Sequence, residues 1–556
     1  MKELQWRRQG APPRRETGLF WPHVPRYQAA DALPHVETLV ADVLSIAEVK
    51  ARSIRGAKWL LVTNIIGGPA SYFISLLLGK TGPEALGSYA LVQVFMGVIT
   101  TFVVFGGRAV LSNFVPKVPT AELRGKMIWA YSAMLLVLMV GVLVLFRVFP
   151  SWLEFLLQKP FDLGYYGIFC LFALAVVLNE VLIGVVSGLM HLKTVALTRM
   201  AARLTALPFI AVLFFFRRDL LREYAFQIVL GLILVSLLVS ILANWVQIWR
   251  DPRFKATLGW HLPPGFMAFC WTVHLATLFS FVTQNADRLF ALNLGGLAGL
   301  GKYQAVLTLE HIILCVPLVL GGTLVPMFSS LLAAKQNKAI RRAFGMVQRV
   351  SVVLITLAAL PMIAFSRELL TFMGRDRGDY SDYYYLLSLF CATLVFNSPF
   401  LGNVTVLASF ERNRFRLAAS TAQIAIQLLG TVFLVGTFGV LAIAGARIAG
   451  MIIIQSVIIY YITRRLNMGF HMPREYFVGV AVTFVATALR IAVIPPGWLG
   501  STLLAVGSLV VFCLLARLGP AEVRRMIELL VQRGRGQGRP PAGPTDAAGP
   551  PAPGAS

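Results

Sequence analysis

Fourteen stretches of nearly uninterrupted apolar sequence fall between Trp59 and Arg517, and they leave little choice of fold. They lie at 59–79, 87–110, 127–149, 163–190, 194–216, 224–249, 266–294, 302–330, 346–372, 384–410, 415–436, 438–463, 475–493 and 498–517. Most reach the roughly 20 residues that a helix needs to cross a bilayer. They lack the alternating polar positions of a barrel strand and exceed its length, so helices are the spanning element. Hydrophobic residues make up 57% of the chain and charged residues 13%, and the mean hydropathy is +0.73. That composition excludes a string of soluble domains. The expected fold is an all-α polytopic membrane protein with about fourteen transmembrane helices.

The basic residues give the topology. With the N-terminus in the cytoplasm, about 35 of the 50 Lys and Arg residues fall in the tails and alternate connections, and about 11 in the opposite ones. This bias predicts that both termini are cytoplasmic. The net charge of +25 then reflects anchoring to an anionic leaflet and is no argument for nucleic acid. Residues 1–58 read as a cytoplasmic arm, partly disordered, ending in an amphipathic stretch over 39–58 that can lie along the membrane. Residues 518–556 read as a cytoplasmic tail whose Gly/Pro/Ala-rich end is disordered.

Five cysteines, at 170, 270, 315, 391 and 513, stand singly in apolar sequence and form no CxxC pair. They suggest neither a disulfide scaffold nor a metal site, and no cofactor is expected. Walker, dinucleotide, HExxH and GxSxG motifs are missing from the sequence. With short external connections as well, an enzyme is not expected, although a membrane-embedded glycan enzyme remains an alternative.

An internal repeat organises the helices. LGKTGPEALGSY at 78–89 aligns with LNLGGLAGLGKY at 292–303, pairing Gly82 with Gly296, Gly87 with Gly301 and Tyr89 with Tyr303. Gly106-Gly107 answers Gly321-Gly322, and Asn179 and Gly184 answer Asn397 and Gly402. Six helices separate the copies, so both insert with the same orientation about an axis along the membrane normal. The expected organisation is an N-lobe at 59–250 (helices 1–6), a C-lobe at 265–465 (helices 7–12) and two appended helices at 470–517. The glycines suit close helix pairing at the outer face, with gating as a second reading.

The segments LLGKTGPEALGSYALVQVFMGVITTFVVFGGRAVLSNFVPKV at 77–118 and NADRLFALNLGGLAGLGKYQAVLTLEHIILCVPLVLGGTLVPMFSSL at 285–331 resemble the polysaccharide biosynthesis transporters. That family belongs to the superfamily of multidrug extruders and lipid II flippases. The resemblance implies alternating access by two lobes and movement of a polyprenyl-diphosphate-linked oligosaccharide to the outer leaflet, for cell-surface or extracellular polysaccharide. It also implies a place in a bacterial inner membrane and work alongside a polysaccharide polymerase or export machinery. Two fused lobes make a monomer sufficient. Lipid II and multidrug cations are the alternative substrates; an arginine-rich start to the bundle, expected for lipid II, is missing.

A carrier of an anionic lipid-linked oligosaccharide needs cationic or donor groups within the membrane. Arg288 in helix 7, with Asp287 and Asn285, is one candidate; its repeat counterparts, Phe73 and Ile74, are apolar. Neighbours along a helix diverge by about 100°, so Asp287 and Arg288 should serve different partners. Arg108 after Gly106-Gly107, Arg447 in helix 12 and Arg203 in helix 5 are further candidates, with ion pairing or snorkelling as the competing reading. Two acids, Glu180 in helix 4 and Glu310 in helix 8, could exchange protons or could simply hold helices together.

Overall fold

The computed structural model of the chain describes residues 46–149, 151, 166–333, 337–374, 380–400, 403, 407, 413–466, 472–493 and 497–519. The arm before residue 46 and the tail beyond residue 519 therefore lie outside the described residues. Among those described there are helices and turns and no strand. The early helices are α1 (Ile46–Thr81), α2 (Pro83–Phe102), α3 (Gly107–Phe114), α4 (Ala121–Val148) and α5 (Tyr166–Gly188). Next come α6 (Leu192–Phe216), α7 (Arg218–Glu223), α8 (Ala225–Trp249) and the long α9 (Phe266–Ala333). The chain continues through α10 (Asn337–Ala364), α11 (Ser366–Met373), α12 (Tyr384–Asn397) and α13 (Asn413–Phe438). It closes with α14 (Val440–Arg465), α15 (Arg474–Ala492) and α16 (Trp498–Ala516). Among the described residues, eleven spans are long and apolar enough to cross a membrane. The protein is a multi-pass membrane protein.

Where the helices depart from the apolar stretches, a local cause is visible. The first apolar stretch, 59–79, is part of a longer helix: α1 runs unbroken from Ile46 to Thr81. The expected helix over 87–110 ends at Phe102, and Gly106 adopts φ +79°, which a side chain disfavours, before α3 begins. Helix 9 divides around Phe365, and helix 10 is interrupted after Asn397, where Pro399 lies in a 3₁₀ turn over Ser398–Phe400; Asn403 and Leu407 beyond it are again helical. Helices 7 and 8 are two limbs of α9, kinked at Gly295 and Gly296; Gly296 has φ +58° and ψ −155°, a conformation open essentially to glycine.

The repeat is visible in the packing. The start of α2 crosses the start of the second limb of α9, with Gly87 against the backbone of Leu297 and Gly301, and Gly301 against that of Pro83 and Gly87. Without Cβ atoms the helices approach to backbone contact, as small residues allow in a membrane. The neighbouring Gly79 supports the same end, accepting a 3.1 Å hydrogen bond from Tyr380 Oη. Lys80 lies 4.5 Å from the centre of the Phe372 ring. Elsewhere, α3 packs on α5, and α5 and α6 on α8; α10 packs on α12, α15 and α16, and α13 pairs with α14.

The first limb of α9 bridges these groups. Its early turns lean on the N-terminal helices, with Phe266 5.0 Å from Phe114 between ring centres. The Cys270 backbone borders Gly106, and the Phe281 ring borders Gly97. Its later turns carry the charged residues described next.

Candidate functional site

Ser280, Gln284 and Arg288 follow one another at four-residue intervals on one face of the first limb of α9. Thr272, Ser280 and Gln284 are exposed and Arg288 is half-buried. The smaller groups satisfy themselves locally: Thr272 Oγ1 donates to Ala268 O at 2.9 Å, and Gln284 Nε2 donates to Ser280 Oγ at 2.8 Å. A short polar line from Ser280 to Arg288 thus ascends the helix towards the Gly296 kink. It ends at a guanidinium roughly 10 Å short of the kink by helical rise.

Arg288 Nη1 donates to Asn285 Oδ1 at 3.0 Å, and Asn285 Nδ2 is held by Phe281 O at 3.0 Å. Arg288 Nε is buried and has no hydrogen-bond partner. A buried guanidinium with a free donor has unmet capacity for an acceptor. The Asn285 side chain borders Gly97 of α2, and Tyr89 of the same helix is within electrostatic reach of Arg288. The site therefore lies where the two repeats meet.

Asp287 turns to other helices. Its Oδ2 accepts a 2.8 Å hydrogen bond from Tyr303 Oη and faces Arg447 Nη1 at 3.3 Å. Arg447 Nη2 reaches both oxygens of Glu310, at 3.2 and 3.3 Å, and the guanidinium sits 4.7 Å from the centre of the Phe390 ring. The carboxylate side chains are 2% and 3% exposed and that of Arg447 is 20% exposed, so charges this far from water must be paired. Two limbs of α9, α12 and α14 converge on this one cluster.

The structure thus brings together Asn285, Asp287, Arg288, Glu310 and Arg447. Arg447 is occupied by two carboxylates, and Arg288 keeps the free donor. Arg108 stands apart: it is exposed on α3, after the Gly106 break, at the level of Cys270. That level is about 22 Å along α9 from Asn285. Glu180 is half-buried on α5, one turn from Gly184, within electrostatic reach of Tyr131. Arg203 is part of α6, and its side chain lies outside the described residues. Tyr303 and Gln284 were not among the expected site residues. The pairing of Tyr303 with Tyr89 in the repeat, and the four-residue spacing of Ser280, Gln284 and Arg288, were the available signals.

The profile of the polysaccharide biosynthesis protein family matches residues 53–332, half of the chain. The chain belongs to this family. The match takes in α2 and all but the last residue of α9, and so holds four of the five clustered residues. No curated protein sequence matches this family member. Among solved structures its fold is similar to a multidrug resistance MATE transporter of the MOP superfamily in an inward-facing conformation. The two share 12% identity, 74% of this chain and 98% of that one are covered, and the TM-score is 0.60. It is also similar to the lipid II flippase MurJ in an inward-closed conformation, at 12% identity, covering 84% and 99%, with a TM-score of 0.57. A MOP superfamily transporter from Pyrococcus furiosus gives 13% identity, 79% and 97% coverage and a TM-score of 0.52. This polysaccharide biosynthesis protein therefore has the fold of a membrane transporter.

Proposed function

We propose that this protein is a flippase that carries a polyprenyl-diphosphate-linked oligosaccharide from the cytoplasmic to the outer leaflet by alternating access of its two lobes, without catalysing a reaction. The observation that carries this reading is Arg288, a guanidinium with a free buried donor at the head of an exposed polar line. A diphosphate supplies acceptor oxygens for that donor, and guanidinium–phosphate hydrogen bonds are among the stronger ones in proteins. A cation extruder would instead be expected to leave its acids unpaired, whereas Asp287 and Glu310 are held by Arg447.

With both termini cytoplasmic, the Gly82 and Gly296 turns are at the outer face. Arg288 is then in the outer half of the membrane, beneath the Gly87–Gly301 crossing. A headgroup entering from the cytoplasm would climb the polar line and stop there until the crossing parts. The lobes proposed are 59–250 and 265–465, and the first limb of α9, in the second, leans on the helices of the first.

Mass spectrometry of inner-membrane lipids from cells with and without the gene tests this reading. In its absence a polyprenyl-diphosphate oligosaccharide should accumulate on the cytoplasmic side. Unchanged lipid-linked intermediates while polysaccharide synthesis is running would overturn it.

A further inference from the structure

The charges of the cluster cancel. Asp287 and Glu310 contribute two negative charges, Arg288 and Arg447 two positive ones, and both acids are almost fully buried. A diphosphate diester brings about two more negative charges, and placing a charge in a dry site without compensation costs several kcal/mol. Arg288 alone cannot balance it. Arg447 is the nearest further cation, but it can serve the ligand only by leaving its carboxylates.

We propose that the anionic headgroup and protons bind to this cluster together. Resting on the flippase reading, the step is an exchange of partners: Arg447 turns from Asp287 and Glu310 to the diphosphate beside Arg288. The two carboxylates, stripped of their counter-charge, take up protons from the water on the open side. Release reverses the exchange, and the protons leave on the side where the substrate leaves. Each ligand then strengthens the binding of the other, as linkage requires.

The other titratable groups around the cluster define what else could hold the proton. Tyr303, on the second limb of α9, donates a hydrogen bond into it, and His311 of the same limb, Cys391 of α12 and Tyr89 of α2 are within electrostatic reach. Tyr303 already donates its proton to Asp287, which leaves that carboxylate oxygen shared by two donors. Both oxygens of Glu310 are held by Arg447, so Glu310 is the first to lose its counter-charge and to take a proton.

The test is calorimetric titration of the purified full chain with a short-chain isoprenyl-diphosphate N-acetylglucosamine, in two buffers of different ionisation enthalpy. The expected result is uptake of about one to two protons per ligand bound, and affinity that rises as the pH is lowered. In a D287N/E310Q double variant, uptake should vanish while binding persists or tightens, because Arg447 is then free. Binding without proton uptake in the wild-type protein overturns the proposal and leaves the flippase reading standing. Uptake that survives in D287N/E310Q but disappears in H311Q also overturns it. No binding at any pH, with R288A indistinguishable from wild type, overturns both.

Discussion

Gly87 of α2 and Gly301 of α9 meet backbone to backbone, and each occupies in its own repeat the position the other occupies in the second. A methyl group on Gly87 would overlap the Leu297 carbonyl, and one on Gly301 would overlap that of Pro83; Pro83 and Leu297 are themselves repeat partners. The contact is reciprocal between the two repeat copies, so it constrains both at once. Gly87→Ala or Gly301→Ala should each cost about 1–3 kcal/mol by forcing the helices apart. Because one displacement relieves both clashes, the double variant should lose less than the sum of the single losses. Thermal unfolding of the purified protein measures this, and strictly additive losses would mean that the two glycines act separately.

Arg288→Ala should lower export in cells by about tenfold or more, the order expected when a charged hydrogen bond is removed. Arg288→Lys should fall between that variant and the wild type, since an ammonium keeps the charge but loses the planar fork. Arg342, exposed on α10, is the control and its replacement by Ala should change little. Export of surface polysaccharide at matched protein levels is the readout. Equal, negligible effects at both positions would remove Arg288 from the binding site.

The repeat and the apolar stretches were legible because they are local. Each hydrophobic run overlaps a helix, eleven spans among the described residues being long and apolar enough to cross a membrane, and Gly295 and Gly296 divide the two runs of α9 where glycine was expected to turn the chain. The divergence of Asp287 from Arg288 was legible for the same reason, since helical geometry alone requires it. Their partners were not. Arg447 meets Asp287 and Glu310 across 160 and 137 residues of sequence, a meeting set by the rotation of α14 against both limbs of α9. Periodicity does not fix that rotation for a helix apolar on most of its circumference. The broken second helix was equally hidden: the run 87–110 stays apolar through the non-helical turn before Gly106.

At the other end of the bundle, Asp251 anchors the connection between α8 and α9. Its carboxylate takes hydrogen bonds from Arg253 Nη2 at 2.7 Å and Nε at 3.0 Å and pairs with His191 Nε2 at 2.6 Å. Arg253 also reaches Leu189 O at 2.7 Å, tying the connection to the end of α5. Burial alone would raise the Asp251 pKa, but the bonds from Arg253 and His191 outweigh it and hold the group at about 2. A depressed carboxylate stabilises the fold above its ordinary value and stops doing so as the pH falls through the depressed one. The contribution, about 2 kcal/mol, should therefore be complete above about pH 5 and be mostly lost by about pH 2. Hydrogen exchange over residues 250–258, corrected for the intrinsic rate, should show this loss in the wild-type protein. Asp251→Asn should already exchange faster at pH 5 and show no further change down to pH 2; a matching pH response in the variant would place the effect elsewhere.

Helices α15 and α16 are fixed to the rest of the bundle by a buried ion pair. Arg490 Nη2 donates to Glu368 Oε2 at 2.7 Å, and their side chains are 1% and 7% exposed. Glu368 Oε1 also accepts the Gly497 N–H at 3.0 Å, and Arg490 Nη1 donates to Ser501 Oγ at 3.1 Å, so α11, α15 and the start of α16 share one network. Removing one partner leaves the other charge buried and uncompensated, which should cost about 3–5 kcal/mol in R490A or E368A. Replacing both with apolar residues of similar volume, as in E368L/R490M, should recover most of that loss, because no charge is then stranded. Thermal unfolding of the three variants separates the possibilities. Recovery in the double variant identifies desolvated charge as the cause, whereas a double variant as unstable as either single one would show that the bonds to Gly497 and Ser501 hold the last two helices in place.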